Sequence, residues 1–187
     1  MIIKMKEVKI DLRPHYTFAY YTRGAMFGNE SLLYYSKKDG SLHCLSGTSL
    51  IENFIEEGKD NEYVMPISET EAKNLEKVFG LMVDATKLCQ EHEDFWCVLD
   101  GEECLVICGR KRARFDGPGP NEQLEPFNKM ADRLLQINGD KNKLQKIMKT
   151  VPKVSETLEK YISSLSPSPT KEGISSCNID KDIPEAL

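Results

Sequence analysis

The feature that most constrains the fold is a long amphipathic helix, predicted from residue 68 to about residue 90. Ser68 and Glu71 have the spacing of a capping box, which satisfies two backbone N–H groups at the start of a helix. Core-type side chains then recur at alternating spacings of four and three residues, which aligns them on one stripe. They are Ala72, Leu75, Phe79, Met82, Thr86 and Cys89. Such a stripe indicates a helix that covers another layer of the fold rather than a dimer seam, and Gly80 predicts close packing against that layer.

Short β-prone segments bounded by turn residues precede this helix. Asp39-Gly40 stands between two of them, and Asp-Gly in that position is a strong signal for an antiparallel hairpin. Residues 64–67 include Pro66 and predict an edge strand or an extended loop. Residues 49–58 have the caps and spacing of a short helix. The β-prone segments are 8–12, 17–22, 31–36 and 41–45.

A second group of strands is predicted after the helix, in the segment FWCVLDGEECLVICGRKRARFDGPGP, residues 95–120. Asp100-Gly101 predicts a two-residue turn that pairs Leu99 with Glu102 and places Cys97 opposite Cys104. Gly109-Arg110 predicts a further turn into residues 111–115. The DGPGP run that follows ends regular structure, because it combines missing N–H donors with flexible glycines.

The last part of the chain is predicted to be helical and then disordered. One helix begins near Pro126 and stops at Asn138-Gly139. Two amphipathic stretches follow, 144–151 and 154–165, which form either one kinked helix packed on the body or an arm that reaches a partner. The predicted architecture is therefore a single α+β domain, residues 1–165, in which antiparallel hairpins pack with one long amphipathic helix and C-terminal helices. Residues 140–165 are its candidate peripheral part, and 166–187 form a disordered tail.

The composition of the chain indicates where the protein is located and which classes of partner its surface as a whole does not favour. A formal net charge of -5 and a pI near 5.4 argue against a surface that binds nucleic acid or acidic lipid as a whole. No apolar run approaches the ~20 residues of a membrane span, and the first residues lack the apolar stretch of a signal peptide. The six cysteines lie mostly among aliphatic residues, which is typical of reduced thiols in a protein core. We therefore expect a cytoplasmic protein without a membrane segment.

Metal and cofactor sites are not predicted. His92, Cys97, Cys104 and Cys108 are close in sequence, but no CxxC knuckle occurs among them. On one strand, Cys104 and Cys108 would lie about 13 Å apart, too far to share an ion directly. No phosphate-binding glycine loop and no metal-spaced set of carboxylates appears, so no cofactor is expected. A disulfide between Cys97 and Cys104 is geometrically conceivable if the predicted hairpin forms.

No catalytic residues are predicted either. His43 and Cys44 are adjacent, but neighbours on a strand point to opposite faces and do not form a nucleophile and base pair. The other histidines are His15 and His92, so any such pair would have to be assembled by the fold. An enzyme with a fold-assembled Cys/His site therefore stays as an alternative.

The candidate binding site is the basic run near the second group of strands. On one strand, Arg110, Arg112 and Arg114 would share a face about 13 Å long, a suitable footprint for an acidic partner or for phosphates. The same charges on an edge strand would guard against sheet-to-sheet aggregation or form intramolecular ion pairs. The candidate binding residues, with two aromatic side chains that could lend stacking surfaces, are Arg110, Lys111, Arg112, Arg114, Trp96 and Phe115.

These observations predict a non-enzymatic protein-binding module of the adaptor, inhibitor or immunity kind. The prediction rests on the missing catalytic signature, the basic strip in an acidic chain, and the amphipathic stretches near the C-terminus. The expected partner is another protein. The alternatives are the small enzyme described above and, third, a nucleic-acid-binding protein that uses the same basic strip.

Overall fold

The computed structural model describes residues 16–24, 30–47, 59–92, 102–116 and 122–165. Within them, an antiparallel sheet of six strands packs with helices, which confirms the predicted α+β class. The predicted strand 8–12, the predicted helix 49–58 and the tail 166–187 lie outside the described residues. The strands are β1 Tyr16–Arg23, β2 Glu30–Ser36, β3 Ser41–Gly47, β4 Lys59–Pro66, β5 Glu103–Cys108 and β6 Lys111–Asp116.

The strand order across the sheet is β4-β3-β2-β1-β5-β6, and all neighbours are antiparallel. This order corrects one prediction. Cys104 on β5 is paired with Thr22 on β1 and with Phe115 on β6, so both of its sides are occupied. The predicted hairpin with Cys97 opposite Cys104 is therefore wrong, because β5 pairs with the distant strand β1 and not with the residues just before it.

The other two predicted hairpins are present. β2 and β3 close on the pair Ser36 and Ser41, and Gly40 between them has a φ of 65°. β5 and β6 close on the pair Cys108 and Lys111, around a two-residue turn in which Gly109 has a φ of 58°. Both glycines adopt the left-handed backbone conformation that side chains disfavour, which explains their place in these turns. The segment around Pro66 was predicted to be an edge strand or an extended loop, and it is an edge strand, β4.

Four helices are described, and the longest is the one predicted first. Its capping box is formed: the Ser68 backbone N–H donates to Glu71 Oε2 at 2.8 Å, and the Glu71 N–H donates to Ser68 Oγ at 3.2 Å. The next helix has Pro126 in its first turn, and Asn138 and Gly139 beyond its end both have positive φ. The helices are α1 Glu69–His92, α2 Glu125–Leu135, α3 Lys141–Met148 and α4 Val151–Leu165.

The main core lies between one face of the sheet and these helices. α1 covers β1, β5 and β6, whereas α2 lies against β2. Phe79 of α1 is at the centre, with its ring 4.5 Å from that of Phe18 on β1 and 5.1 Å from that of Phe127 on α2. All three side chains are fully buried. The opposite face of the sheet carries a separate buried cluster of Ala19, Tyr21, Leu32, Tyr34, Leu105 and Ile107.

The C-terminal helices belong to the body of the domain. α4 packs along α1, and its side chains Val154, Leu158 and Tyr161 are buried in the main core. Leu144 and Ile147 of α3 join the same core. The structure therefore favours packing on the body over an arm that reaches a partner, because the apolar stripe of α4 is already covered.

Gly80 provides a test of this packing. A β-carbon at this position would meet Cys108 Sγ at 3.6 Å, which is ordinary van der Waals contact. Because alanine favours a helix interior over glycine, Gly80→Ala should raise the free energy of unfolding by about 0.5–1 kcal/mol, measured by urea titration. Gly40→Ala should lower it, since Gly40 has positive φ. A loss of stability in Gly80→Ala would show that α1 and β5 need a closer approach than the structure describes.

Candidate functional site

The predicted basic strip lies at the β6 end of the sheet, and we call Arg110, Lys111, Arg112 and Arg114 the basic edge. Arg112 and Arg114 are paired with Ile107 and Leu105, so they stand on the sheet face opposite α1. Arg110 lies in the turn that precedes the strand. The predicted row of three arginines on one strand is therefore wrong, because the two-residue turn takes Arg110 out of the strand.

Two of the four basic side chains form ion pairs with neighbouring elements. Lys111 Nζ lies 3.0 Å from Asp84 Oδ1 of α1, and Arg114 Nε lies 2.9 Å from Glu103 Oε1 of β5. Exposed pairs of this kind each contribute at most about 1 kcal/mol to stability. The two pairs matter more for the charge of the surface, because they largely neutralise Lys111 and Arg114 within the chain.

Arg110 and Arg112 differ from the other two. Both are exposed, and neither contacts a carboxylate among the residues that the structure describes. The edge beneath them is also protected, since Gln90 Nε2 of α1 donates to the backbone carbonyl of Arg114 at 2.7 Å. A further strand would need such carbonyls, so this contact and the basic side chains both discourage edge-to-edge pairing.

Phe115 and Trp96 were the two aromatic candidates for stacking surfaces beside the basic edge. Phe115 is on β6 but points to the helices, and only 1% of it is exposed. It therefore offers no stacking surface beside Arg112. Trp96 lies outside the described residues.

A cavity that the sequence did not reveal lies beside β1, β5 and α2. Its volume is about 440 Å³. Tyr20 and Cys104 are buried in its floor, and the Tyr20 hydroxyl lies 3.4 Å from Asp132 Oδ1 and 3.6 Å from Cys104 Sγ. Its lining residues are Tyr20, Glu102, Cys104, Glu125, Asn128, Lys129 and Asp132. Four of them lie on one face of α2, but Tyr20 comes from β1 and the other two from the start of β5, so no local sequence pattern connects the three elements.

The cavity has an acidic character. Burial raises the pKa of Asp132, and the nearby charge of Glu102 raises it further. Lys129 Nζ lies 2.7 Å from Glu125 Oε1, so this lysine neutralises Glu125. Burial also raises the pKa of Tyr20, with further contributions from Cys104 and Asp132, so its hydroxyl stays protonated.

Cys44 and Cys104 form no disulfide and have little nucleophilic character. Cys44 and Cys104 are buried, and burial raises the pKa of each to about 12. Cys44 Sγ donates to the Leu134 carbonyl at 3.6 Å, whereas Cys104 contacts Tyr20. Because the thiolate is the reactive form, neither side chain is prepared for nucleophilic attack at neutral pH.

His43 is also separated from the cysteines. Its Nε2 lies 2.8 Å from Asp39 Oδ2, and its ring stacks on Tyr34 at 4.7 Å on the sheet face opposite Cys44. His92 is exposed in the last turn of α1, and His15 lies outside the described residues. Within the described ranges, no group of three His, Cys, Asp or Glu side chains is positioned to hold a metal ion.

No known protein family has a model that matches the chain, and no curated protein matches it. None of the four described helices combines the length and hydrophobicity that a membrane-spanning segment needs.

The thiol environment predicts a labelling pattern. In the folded protein, Cys44 and Cys104 should react with iodoacetamide at least ~100-fold more slowly than in urea, because burial suppresses both access and the thiolate form. Mass spectrometry of the labelled peptides measures each site, and half-buried Cys108 serves as an internal comparison. Rapid labelling of Cys104 in the folded protein would contradict the described packing.

The raised pKa of Asp132 leads us to expect that the stability of the protein depends on pH. Its folded pKa is raised, so the native state keeps this proton to higher pH than the unfolded chain, and stability falls as pH rises between the two pKa values. Asp132→Asn should therefore raise Tm at neutral pH, and the gain should vanish below the ordinary pKa of an aspartate. Thermal unfolding across this pH range tests it. Asp84→Asn, at an exposed ion pair, is the control and should show no such gain. A lower Tm for Asp132→Asn at neutral pH would contradict the assignment.

Proposed function

We propose that this chain is a non-enzymatic protein-binding module of the adaptor, inhibitor or immunity kind, and that its basic edge binds an acidic surface of another protein. One observation carries the proposal. Arg110 and Arg112 are exposed without a carboxylate partner in the described part of the chain, although Lys111 and Arg114 beside them are paired. Two unneutralised cations in an acidic chain favour a partner that supplies the opposite charge.

The way the arginines are held supports recognition by side chains. Arg112 extends from a strand of a six-stranded sheet, and Arg110 from a tight turn next to it, so both start from a firmly held backbone. A guanidinium offers a planar set of donors that matches a carboxylate in a bidentate geometry. Because Gln90 already occupies the Arg114 carbonyl, contact through these side chains is favoured over addition of a strand.

The C-terminal amphipathic helices bury their apolar side chains in the core, so they support no docking surface. Nucleic-acid binding has less support, since Phe115 is buried and two of the four cations are paired. The Cys/His enzyme has less support too, because burial keeps the Cys44 and Cys104 thiols protonated and the cavity lining includes no described histidine.

The test reverses the two free charges. Arg110→Glu/Arg112→Glu should lose the partner, with affinity reduced about 10- to 100-fold because two attractive contacts become repulsive. The matched control is Lys37→Glu/Lys38→Glu, which makes the same charge change in the exposed turn between β2 and β3. Tagged proteins capture partners from native lysate after nuclease treatment, and mass spectrometry identifies them.

The proposal is supported if wild type and the control retain one nuclease-resistant protein at near-equal ratio and the arginine variant does not. Binding of the purified pair should also weaken steeply as salt increases. Equal capture by both variants would reject the basic edge as the site. Capture that disappears with nuclease would favour nucleic acid, and turnover of a substrate that depends on a named histidine or cysteine would favour an enzyme.

A further inference from the structure

The two edges of the sheet differ in what protects them. At the β6 edge, the basic side chains and the Gln90 contact with the Arg114 carbonyl discourage a further strand. β4 forms the other edge, since no described strand lies beyond it. Tyr63 and Val64 of β4 are the only large apolar side chains in the described ranges that are exposed, at 36% and 49%. An edge strand of this kind is suited to pair with another chain.

The backbone of β4 directs alternate residues toward β3 and toward the open side. Ile67, directly after the strand, donates its N–H to the Gly40 carbonyl at 3.2 Å, so its backbone faces β3. Because this direction alternates along an antiparallel strand, the odd-numbered residues of β4 face β3, whereas Val64 and Pro66 direct their backbone groups outward. Proline at an outward position is typical of an edge strand, because it has no N–H to offer there.

The two exposed side chains lie on opposite faces of the sheet. Tyr63 is paired with Cys44, which faces the helices. Val64 is paired with His43, whose ring stacks on Tyr34 on the other face. A strand added beside β4 would therefore cover apolar surface on both faces.

We propose that β4 pairs with β4 of a second copy of this chain, antiparallel and around a two-fold axis at Tyr63. In this register, Tyr63 of one copy lies directly opposite Tyr63 of the other as a cross-strand aromatic pair, and Val64 of each copy lies opposite Glu62 of the other. The backbone groups that Val64 directs outward then enter the ladder that joins the two sheets. The side chain of Glu62 keeps its place beside His43, because only its backbone takes part.

Charge and the position of Pro66 select this register. Outward-facing residues must meet outward-facing residues, so the neighbouring antiparallel registers are shifted by two residues. A shift in one direction places Glu62 directly opposite Glu62 of the second copy, where like charges repel. A shift in the other direction places Pro66 opposite Glu62, and the missing N–H then interrupts the ladder next to its centre.

Pairing through β4 also gives a closed assembly. The two sheets join into one whose outer edges are both β6. Each outer edge carries the basic side chains and the Gln90 contact, so neither favours a further strand and association stops at two chains. A second copy is therefore the occupant that the two edges together favour. The basic edge stays accessible, so this interface is independent of the partner proposed above.

The experiment is analytical ultracentrifugation of the full chain with a reductant. Concentrations from about 10 µM to about 1 mM are needed, because a single strand pair is a small interface. We expect a reversible equilibrium between monomer and dimer. Val64→Pro should weaken dimerisation at least ~10-fold, because it removes the outward N–H and leaves the ladder with β3 in place. Val64→Thr, which keeps the β-branched shape and the N–H, is the matched control and should retain the dimer.

A second measurement locates the interface. Hydrogen exchange of the Val64 amide should slow as protein concentration rises, which a dimer through another surface would not produce. If circular dichroism shows that Val64→Pro does not fold, Val64→Lys carries the same comparison, since a charge on the open edge also opposes pairing. The proposal is overturned by a monomer at every concentration, by equal dimerisation of all variants, or by species larger than a dimer. A dimer that Arg110→Glu/Arg112→Glu disrupts and Val64→Lys does not would also overturn it.

Discussion

The packing of Phe79 between the sheet and α2 is the contact on which the rest of the structure depends. Its ring meets Phe18 of the central strand β1 on one side and Phe127 of α2 on the other. Aromatic side chains bury the largest apolar areas in a core, so this contact sets the distance of α1 and α2 from the sheet. The position of α2 in turn brings Asp132 to Tyr20, and the position of α1 brings Asp84 and Gln90 to β6.

The same layering places the thiols and the charged side chains in different environments. Thiols that face the helices are desolvated and protonated, as at Cys44 and Cys104. Charged side chains remain where the layers end: arginines at the outer edge of β6, and carboxylates where α2 meets β1 and β5. A core of this kind serves as a scaffold, and the basic edge lies at its margin.

Much of the fold was predictable because its signals are local. The capping box at Ser68, the glycine at position 40 and the turn at Gly109 each act within a few residues, and all three formed as predicted. The failures were non-local. β5 pairs with β1, more than eighty residues away, so the local Asp-Gly signal at Asp100-Gly101 predicted the wrong neighbour for Cys104.

The sequence by itself determined the α+β class, the long helix, the two tight hairpins and the basic character of β6, because periodicity and turn chemistry operate over short distances. Only the tertiary structure decided which charges are free. Asp84 and Glu103 neutralise Lys111 and Arg114 from other elements, whereas Arg110 and Arg112 keep their charge. The cavity was likewise decided by the fold, since Tyr20 and Asp132 meet only when α2 packs on β1.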